Sequence, residues 1–363
     1  MPSTDLSGAV DPVIVGCMRD AIAAEIARSG PIPFEQFMDR ALYGAGGFFA
    51  SDSLRSERSG DFLTSPEVSP FFGETLAAFV RSEGDRIGEP FRLVEVAAGS
   101  GSLLRPLLAL VDVEAWAVEI SPAAIRALGD VVGPDRVVSS LDDIADPLRG
   151  VIVANELLDN LPMAIAQLTE RGWRERWVGV DGPALAFLDA DPRPEVLAWL
   201  ERFAGPVENG GWVEVQLRAS DWVRSAVGRL EAGAVVVVDY GDTMENLAPR
   251  RQDGTLRTYR AHHLGPHPLD EPGATDITAD VNFTAIEAAA REAGAEVELW
   301  RQDDFLAALG LRDRISAMRH EELALARAGD EMARLRLRSH RTEAETILHP
   351  RGLGDFRVVV ARV

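Results

Sequence analysis

The chain of 363 residues contains no lysine, and all 37 of its Lys+Arg positions are arginine. Walker-type phosphate transfer, which needs a lysine on the phosphates, is therefore excluded, and no G-x-S-x-G nucleophile elbow occurs. Cysteine appears once, as Cys17. That excludes a disulfide framework and leads us to expect a reducing, cytoplasmic setting. No apolar run approaches the roughly 20 residues needed to span a bilayer, so no membrane insertion is expected. The opening MPSTDLSGAVDPVIV lacks a basic n-region and a sustained apolar h-region, unlike a signal peptide. The six histidines (His262, His263, His267, His320, His340 and His349) show no metal-ligand spacing, and no metal is expected. Positive charge is scarce too. The net charge of −21 argues against wrapping a phosphate backbone, so no nucleic-acid partner is expected.

What is present suits a globular α/β protein: 46% apolar and 26% charged residues, in a chain long enough for one elaborated domain or two. Residues 11–43 read mainly as helix around a Pro-bounded turn. A polar, glycine-bearing stretch follows. SPEVSPFFGETLAAFVRSEG then reads as a helix start, with Ser65 as N-cap, Pro66 at N1 and Glu67 near the positive end of the dipole. From there strands and helices alternate. FRLVEV (91–96), EAWAVEI (114–120), DRVVSSL (135–141), GVIVAN (150–155) and AVVVVDYG (234–241) read as buried parallel strands. SLLRPLLALV (102–111) reads as the helix after the first of them. Between the fourth and fifth lie a strand meander, the helix EVLAWLERF and the strand WVEVQLR. Residues 242–280 read as a loop and 304–348 as helical. EVELWRQ (296–302) and FRVVVARV (356–363) can pair as an antiparallel ribbon at the sheet edge. The expected division is an N-terminal helical cap region, 1–88, and a Rossmann-like domain, 89–363, with insertions at about 163–215, 242–280 and 304–348. Nothing in the sequence specifies an oligomeric state.

The loop LVEVAAGSGSLL (93–104) carries the chemistry. A dinucleotide fingerprint G-x-G-x-x-G would need glycine at 97, 99 and 102, and only Gly99 complies. The acidic-x-G-x-G-x-G pattern of S-adenosylmethionine sites fares better, with Glu95, Ala97, Gly99 and Gly101 giving three matches in four. That cofactor has no phosphate; its amino-acid tail must lie against bare backbone, and its ammonium needs an acceptor. Alanine at 97 is harmless if φ there stays negative, and costs on the order of 1 kcal/mol if φ is positive. Glu119, 20 residues beyond Gly99, ends the second strand where a carboxylate can accept ribose hydroxyls. Asp142 and Asp143 follow the third strand, where adenine would lie.

ANELLDNLP (154–162) places Asn155, Glu156 and Asp159 at the carboxyl end of a buried strand, where open α/β sheets bind ligands. Asn155 is positioned to orient an acceptor. Glu156 and Asp159, three apart, share one side if the segment turns helically. Methyl transfer requires a neutral lone pair held in line with the sulfonium, and a guanidinium acceptor must be gripped by carboxylates and lose a proton. Two nearby acids suit that task. Asp239, ending the fifth strand, either holds a loop backbone or lines the pocket.

These residues resemble the MidA-like methyltransferases, a family that includes a mitochondrial complex I assembly factor that methylates arginine. The marks are GDFLTSPEVSPFFGE (60–74), VEVAAGSGSL (94–103), VEISP (118–122), ANELLDNLP, GTLRTYRAHHL (254–264) and PGATDITADVNF (272–283). The resemblance implies a class I methyltransferase fold using S-adenosylmethionine. It implies arginine methylation on a protein partner, such as a subunit of respiratory complex I. A small-molecule acceptor and a non-catalytic assembly factor are the alternatives. It also implies that the GDFLTSPE loop helps close the cofactor site, adding Asp61, Thr64, Ser65 and Glu67. The chain departs from the family pattern at Ala97, at Asp280 where histidine is usual, and at Asn282 where aspartate is usual.

Overall fold

A computed structural model describes residues 12–50, 64–250, 252–260 and 263–363. Seven strands form the central sheet: β1 (Arg92–Val96), β2 (Glu114–Val118), β3 (Val137–Val138), β4 (Leu148–Asn155), β5 (Leu230–Asp239), β6 (Glu296–Arg301) and β7 (Arg357–Arg362). Their spatial order is β3-β2-β1-β4-β5-β7-β6. β3, β2, β1, β4 and β5 run parallel, and β7 pairs antiparallel with both β5 and β6. The order reverses between β1 and β4. That switch point opens a crevice at the carboxyl ends of the strands.

The continuous apolar runs of β1, β4, β5 and β7 are explained by burial on both faces. Successive side chains point to opposite sides. Leu93, Val151, Val153, Val236, Val238, Val358 and Val360 pack under helix Phe71–Ile87 and the C-terminal helices. Val94, Ile152, Val235, Val237 and Val359 pack under helices Leu217–Gly228 and Phe283–Glu292. Every CH₂ so buried contributes about 0.8 kcal/mol. This explains why β5 carries four consecutive valines.

A second sheet arises from the meander. Ala164–Thr169, Gly172–Asp181, Ala184–Ala190 and Trp212–Val215 pair antiparallel, joined by the short strand Ile32–Pro33. Helices Pro12–Ser29 and Phe34–Tyr43 lie on it, burying Phe34, Phe37, Met38 and Leu42 against Ile165 and Val178.

Four expectations need correction. The third strand shrinks to Val137–Val138, because it is an edge strand paired only with Ala117 and Val118, and Leu141–Asp143 coils into a 3₁₀ turn. The helix expected over 102–111 spans only Leu104–Leu108. The N-cap before Pro66 is Thr64, not Ser65: Glu67 Oε2 accepts the Thr64 N–H at 2.9 Å, and the helix stops at Val68 before Phe71–Ile87 begins. The segment 242–280 is not a plain loop, since Arg257–Arg260, His263–Leu264 and Asp276–Thr278 form a three-stranded sheet. Buried Ile277 and Thr278 drive that pairing. The antiparallel ribbon is as expected, with β6 on the edge and β7 inside it.

Candidate active site

Two cavities meet at the switch point. The first, of about 440 Å³, is walled by the β1 loop, the ends of β2 and β4, and Trp222 from helix Leu217–Gly228. The second, of about 740 Å³, lies beyond the end of β5 and against residues 351–356. Glu156 and Asn160 line both.

The β1 loop is built on left-handed backbone: φ is 56° at Ala97, 52° at Gly99 and 78° at Gly101. Ala97 therefore occupies the strained alternative of the two weighed above, with its N–H donating to Val118 O at 2.9 Å. A Cβ on Gly101 would meet Val131 at 3.1 Å and Leu128 at 3.3 Å, so glycine is needed there for space as well as for φ. Glu95, on β1, is buried at the first cavity's wall with Oε2 unpartnered. Burial, then the neighbouring Glu119, pushes its pKa well above the carboxylate range. Glu119 ties the loop to β2. Its Oε2 accepts the Gly99 N–H at 2.9 Å, and its Oε1 accepts Ile120 N–H at 2.8 Å and Ser121 N–H at 2.9 Å.

The other expected cofactor residues divide. Thr64, Glu67 and Asp142 line the first cavity. Ser65 does not; it is fully buried, with its Oγ accepting from Gln302 Nε2 at 3.1 Å and its N–H pointing to Glu156 Oε1 at 3.4 Å. Asp143 is likewise turned away. Its Oδ2 accepts the Ser140 N–H at 3.0 Å and caps the 3₁₀ turn, which separates it from Asp142. Asp61 and His262 lie outside the described residues.

After β4 the chain does not turn helically. Glu156 takes φ 52°, a rare conformation for a side-chain-bearing residue and one that clusters at functional sites. Asp239 then holds the turn: its Oδ2 accepts Leu158 N–H at 2.9 Å and Asp159 N–H at 3.2 Å, and its Oδ1 accepts Tyr240 N–H at 2.9 Å. The loop-holding alternative for Asp239 is the one realised. Glu156 and Asp159 consequently face different spaces: Glu156 borders both cavities, Asp159 only the second. Asn155 Nδ2 reaches Glu156 Oε1 at 3.4 Å, and its buried Oδ1 has no partner. Asp159 Oδ2 accepts the hydroxyls of Tyr240 and, at 2.7 Å, Thr278, while buried Oδ1 accepts nothing.

Buried Asp159 and Asp239 and half-buried Glu156 thus form one cluster of three carboxyl groups, none of them ion-paired to an arginine among the described residues. Burial raises the pKa of each. Asp159 then adds to the rise at Glu156 and Asp239, while the Tyr240 and Thr278 hydroxyls pull Asp159 partly back. A guanidinium entering the second cavity would find the carboxyls of Glu156 and Asp159, neither ion-paired to the arginines that line the same cavity.

Sequence reasoning missed several wall residues. Tyr43 donates to Asn160 O at 3.1 Å, and Tyr43, Phe49 and Trp222 line the first cavity. Nothing local signals them, because they come from the N-terminal segment and a distant helix. The departures at 280 and 282 separate in role. Asn282 caps helix Phe283–Glu292 and donates to Phe203 O at 2.9 Å, a fold-holding task. Asp280 sits on the second cavity's wall, paired with Arg250 at 2.6 Å and Arg257 at 3.5 Å.

Comparison with known proteins agrees with this geometry. A crystallised superfamily member from Burkholderia thailandensis, bound to S-adenosyl-homocysteine, superposes with a TM-score of 0.85 at 29% identity, covering 98% of this chain and 95% of that one. Curated relatives include the mitochondrial protein arginine methyltransferase NDUFAF7 of Xenopus tropicalis, 28% identical over 85% of this chain and 79% of that protein. The Homo sapiens protein of the same name is 29% identical, over 81% and 73%. These names overturn the cytoplasmic setting inferred from the lone cysteine: a free thiol signals a reducing compartment and does not distinguish one such compartment from another. No helix among the described residues is long and apolar enough to cross a membrane. The family model for S-adenosyl-L-methionine-dependent methyltransferases matches residues 72–300, and this chain belongs to that family.

Proposed function

We propose that the chain transfers the methyl group of S-adenosylmethionine to an arginine side chain of a protein. The observation that carries this reading is the pair Glu156 and Asp159 at the second cavity, with buried Asp239 holding the turn between them, none ion-paired to an arginine among the described residues. Buried carboxyls of this kind demand a positive partner. A guanidinium meets them with five N–H donors in a fixed fork. The relatives named as protein arginine methyltransferases support the same acceptor.

The cofactor supplies an electrophilic methyl group on a sulfonium. The first cavity fits it. Bare backbone at Gly99 admits an amino-acid tail, and Glu95 Oε2, unpartnered among the described residues, offers an acceptor for an ammonium. Glu119 would take the ribose, with Thr64, Glu67, Ala97 and Asp142 completing the wall. A carboxylate has about four acceptor sites. Three at Glu119 already serve backbone N–H groups. Gripping both ribose hydroxyls therefore requires one loop contact to loosen.

Asn155 and Asp159 would orient the acceptor. Entry of a cation within about 4–6 Å favours the ionised form of a carboxyl, so Glu156 loses its proton as the guanidinium binds. The acceptor nitrogen's lone pair then forms the new C–N bond while the C–S bond breaks, its electron pair remaining on sulfur. The proton displaced from nitrogen passes to Glu156.

The test is the purified chain and methyl-labelled cofactor added together to lysate from cells lacking the chain. Label should appear in protein as methylarginine, and Glu156→Gln should reduce it at least about a hundredfold, the scale of a lost general base, while cofactor binding persists. Label confined to small molecules, or a stable partner complex formed equally by Glu156→Gln with no label, would refute the reading.

A further inference from the structure

The acidic cluster contains two carboxyls at the second cavity that are held in contrasting ways. Among the described residues Glu156 has only two contacts, both long, at 3.4 Å each, from Ser65 N–H and Asn155 Nδ2. Asp159 is fixed at every point but one. Its N–H is held by Asp239 at 3.2 Å, and its carbonyl accepts Ala279 N–H at 3.3 Å. Oδ2 accepts the Tyr240 and Thr278 hydroxyls, which also touch each other. Tyr240 is itself secured, with its carbonyl accepting Val281 N–H at 2.9 Å and its ring packed on Phe356 at 5.5 Å. The free point is Oδ1, in a side chain 97% buried at the cavity wall.

We infer that Tyr240 and Thr278 are positioning residues whose hydroxyls clamp Asp159 Oδ2, so that Oδ1 faces a guanidinium in one fixed orientation while the loosely held Glu156 is left to move the proton. The inference rests on the guanidinium reading of the second cavity. It assigns the two carboxyls different tasks: Asp159 grips and Glu156 exchanges. A rigid acceptor loses little entropy on binding, and a proton carrier needs freedom to follow the nitrogen. The ionisable groups facing Asp159 are Glu156, Asp239, Asp276, Tyr43 and Tyr240. The cations lining the same cavity are Arg250 and Arg257, both engaged by Asp280, and Arg351. The two hydroxyls are the leading groups that favour the Asp159 anion before a substrate arrives, ahead of the backbone N–H groups of Asp159 and Asn160.

The probe is methylguanidine, titrated onto the full chain in the presence of S-adenosylhomocysteine, from pH 5 to pH 9. Tyr240→Phe removes one oxygen and keeps the ring on Phe356. Thr278→Val removes the second hydroxyl, and Thr278→Ser restores it. Losing one hydrogen bond to a charged group should weaken methylguanidine about tenfold. The acid limb of its binding should also move to higher pH, because an Asp159 anion with one donor fewer protonates more readily. Thr278→Ser should bind as the natural chain does, and S-adenosylhomocysteine affinity should stay within about twofold throughout. Unchanged affinity and an unchanged acid limb in both Tyr240→Phe and Thr278→Val would overturn the clamp, as would failure of the natural chain to bind methylguanidine. Methylguanidine binding that follows the clamp pattern, in a chain that places no methylarginine on any protein, would uphold the clamp and overturn the protein-arginine reading.

Discussion

The β1 loop yields a prediction with an unusual sign. Ala97 lies at φ 56°, its side chain exposed at the cavity, while Ala98 next to it is buried and has negative φ. Holding an L-residue in the left-handed region costs about 1–2 kcal/mol. Glycine avoids that cost but loses about 0.5–1 kcal/mol in backbone entropy on folding. Ala97→Gly should therefore stabilise the chain, by about 0.5–1 kcal/mol. At Ala98 no strain exists to relieve. Glycine there loses a buried methyl group, about 0.8 kcal/mol, plus the same entropy, for a destabilisation of about 1.5 kcal/mol. Ala97→Val should destabilise by about 1–3 kcal/mol, because a β-branched residue at positive φ is a stronger outlier. Urea unfolding with a common slope reads all three as shifts in midpoint. If Ala97→Gly and Ala98→Gly both destabilise to a similar degree, Ala97 is not in the left-handed region and the argument fails.

Two further outcomes are expected. S-adenosylmethionine should raise the melting temperature, and Glu119→Ala should remove the shift, since it deletes both the acceptor proposed for the ribose and the tie to Gly99; a full shift in the variant would exclude Glu119 from the site. Burial raises the pKa of Glu95, Glu156 and Asp239, so above about pH 4 the folded state binds more protons at these groups than the unfolded state does, and their contribution to stability falls as pH rises. Glu156→Gln should accordingly raise the melting temperature more at pH 8 than at pH 5 in the absence of ligand, and an equal rise at both would contradict the burial argument.

The sheet was legible in the sequence because burial on both faces leaves a direct trace. FRLVEV, GVIVAN, AVVVVDYG and FRVVVARV are apolar at every position that must meet helices on one side or the other. The third strand was overdrawn because edge residues such as Val137 and Val138 have one neighbour and leave a weaker trace. The site was legible in its residue types. Glu95, Gly99, Glu119, Asn155 and Glu156 do gather around one cavity, while Gly101 packs behind it against Val131 and Leu128. Ser65, implied by the resemblance, and Asp143, expected from its place after the third strand, adjoin residues that line it, and a single backbone turn suffices to aim neighbours in opposite directions.

By itself the sequence determined the alternation of strands and helices, the glycine loop that rejects a pyrophosphate, and the acids at the end of the fourth strand. These are short-range properties, written in periodicity and in residue type. Tertiary structure alone decided that Ala97 is strained, because φ depends on where Val118 O receives its N–H. It decided that Asp159 meets the second cavity alone while Glu156 borders both, because Asp239, about 80 residues away, bends the turn between them. It also brought Tyr43, Trp222, Tyr240 and Thr278 to the site from four separate segments. Contacts between residues far apart in the chain are set by how the layers pack, and no local pattern records them.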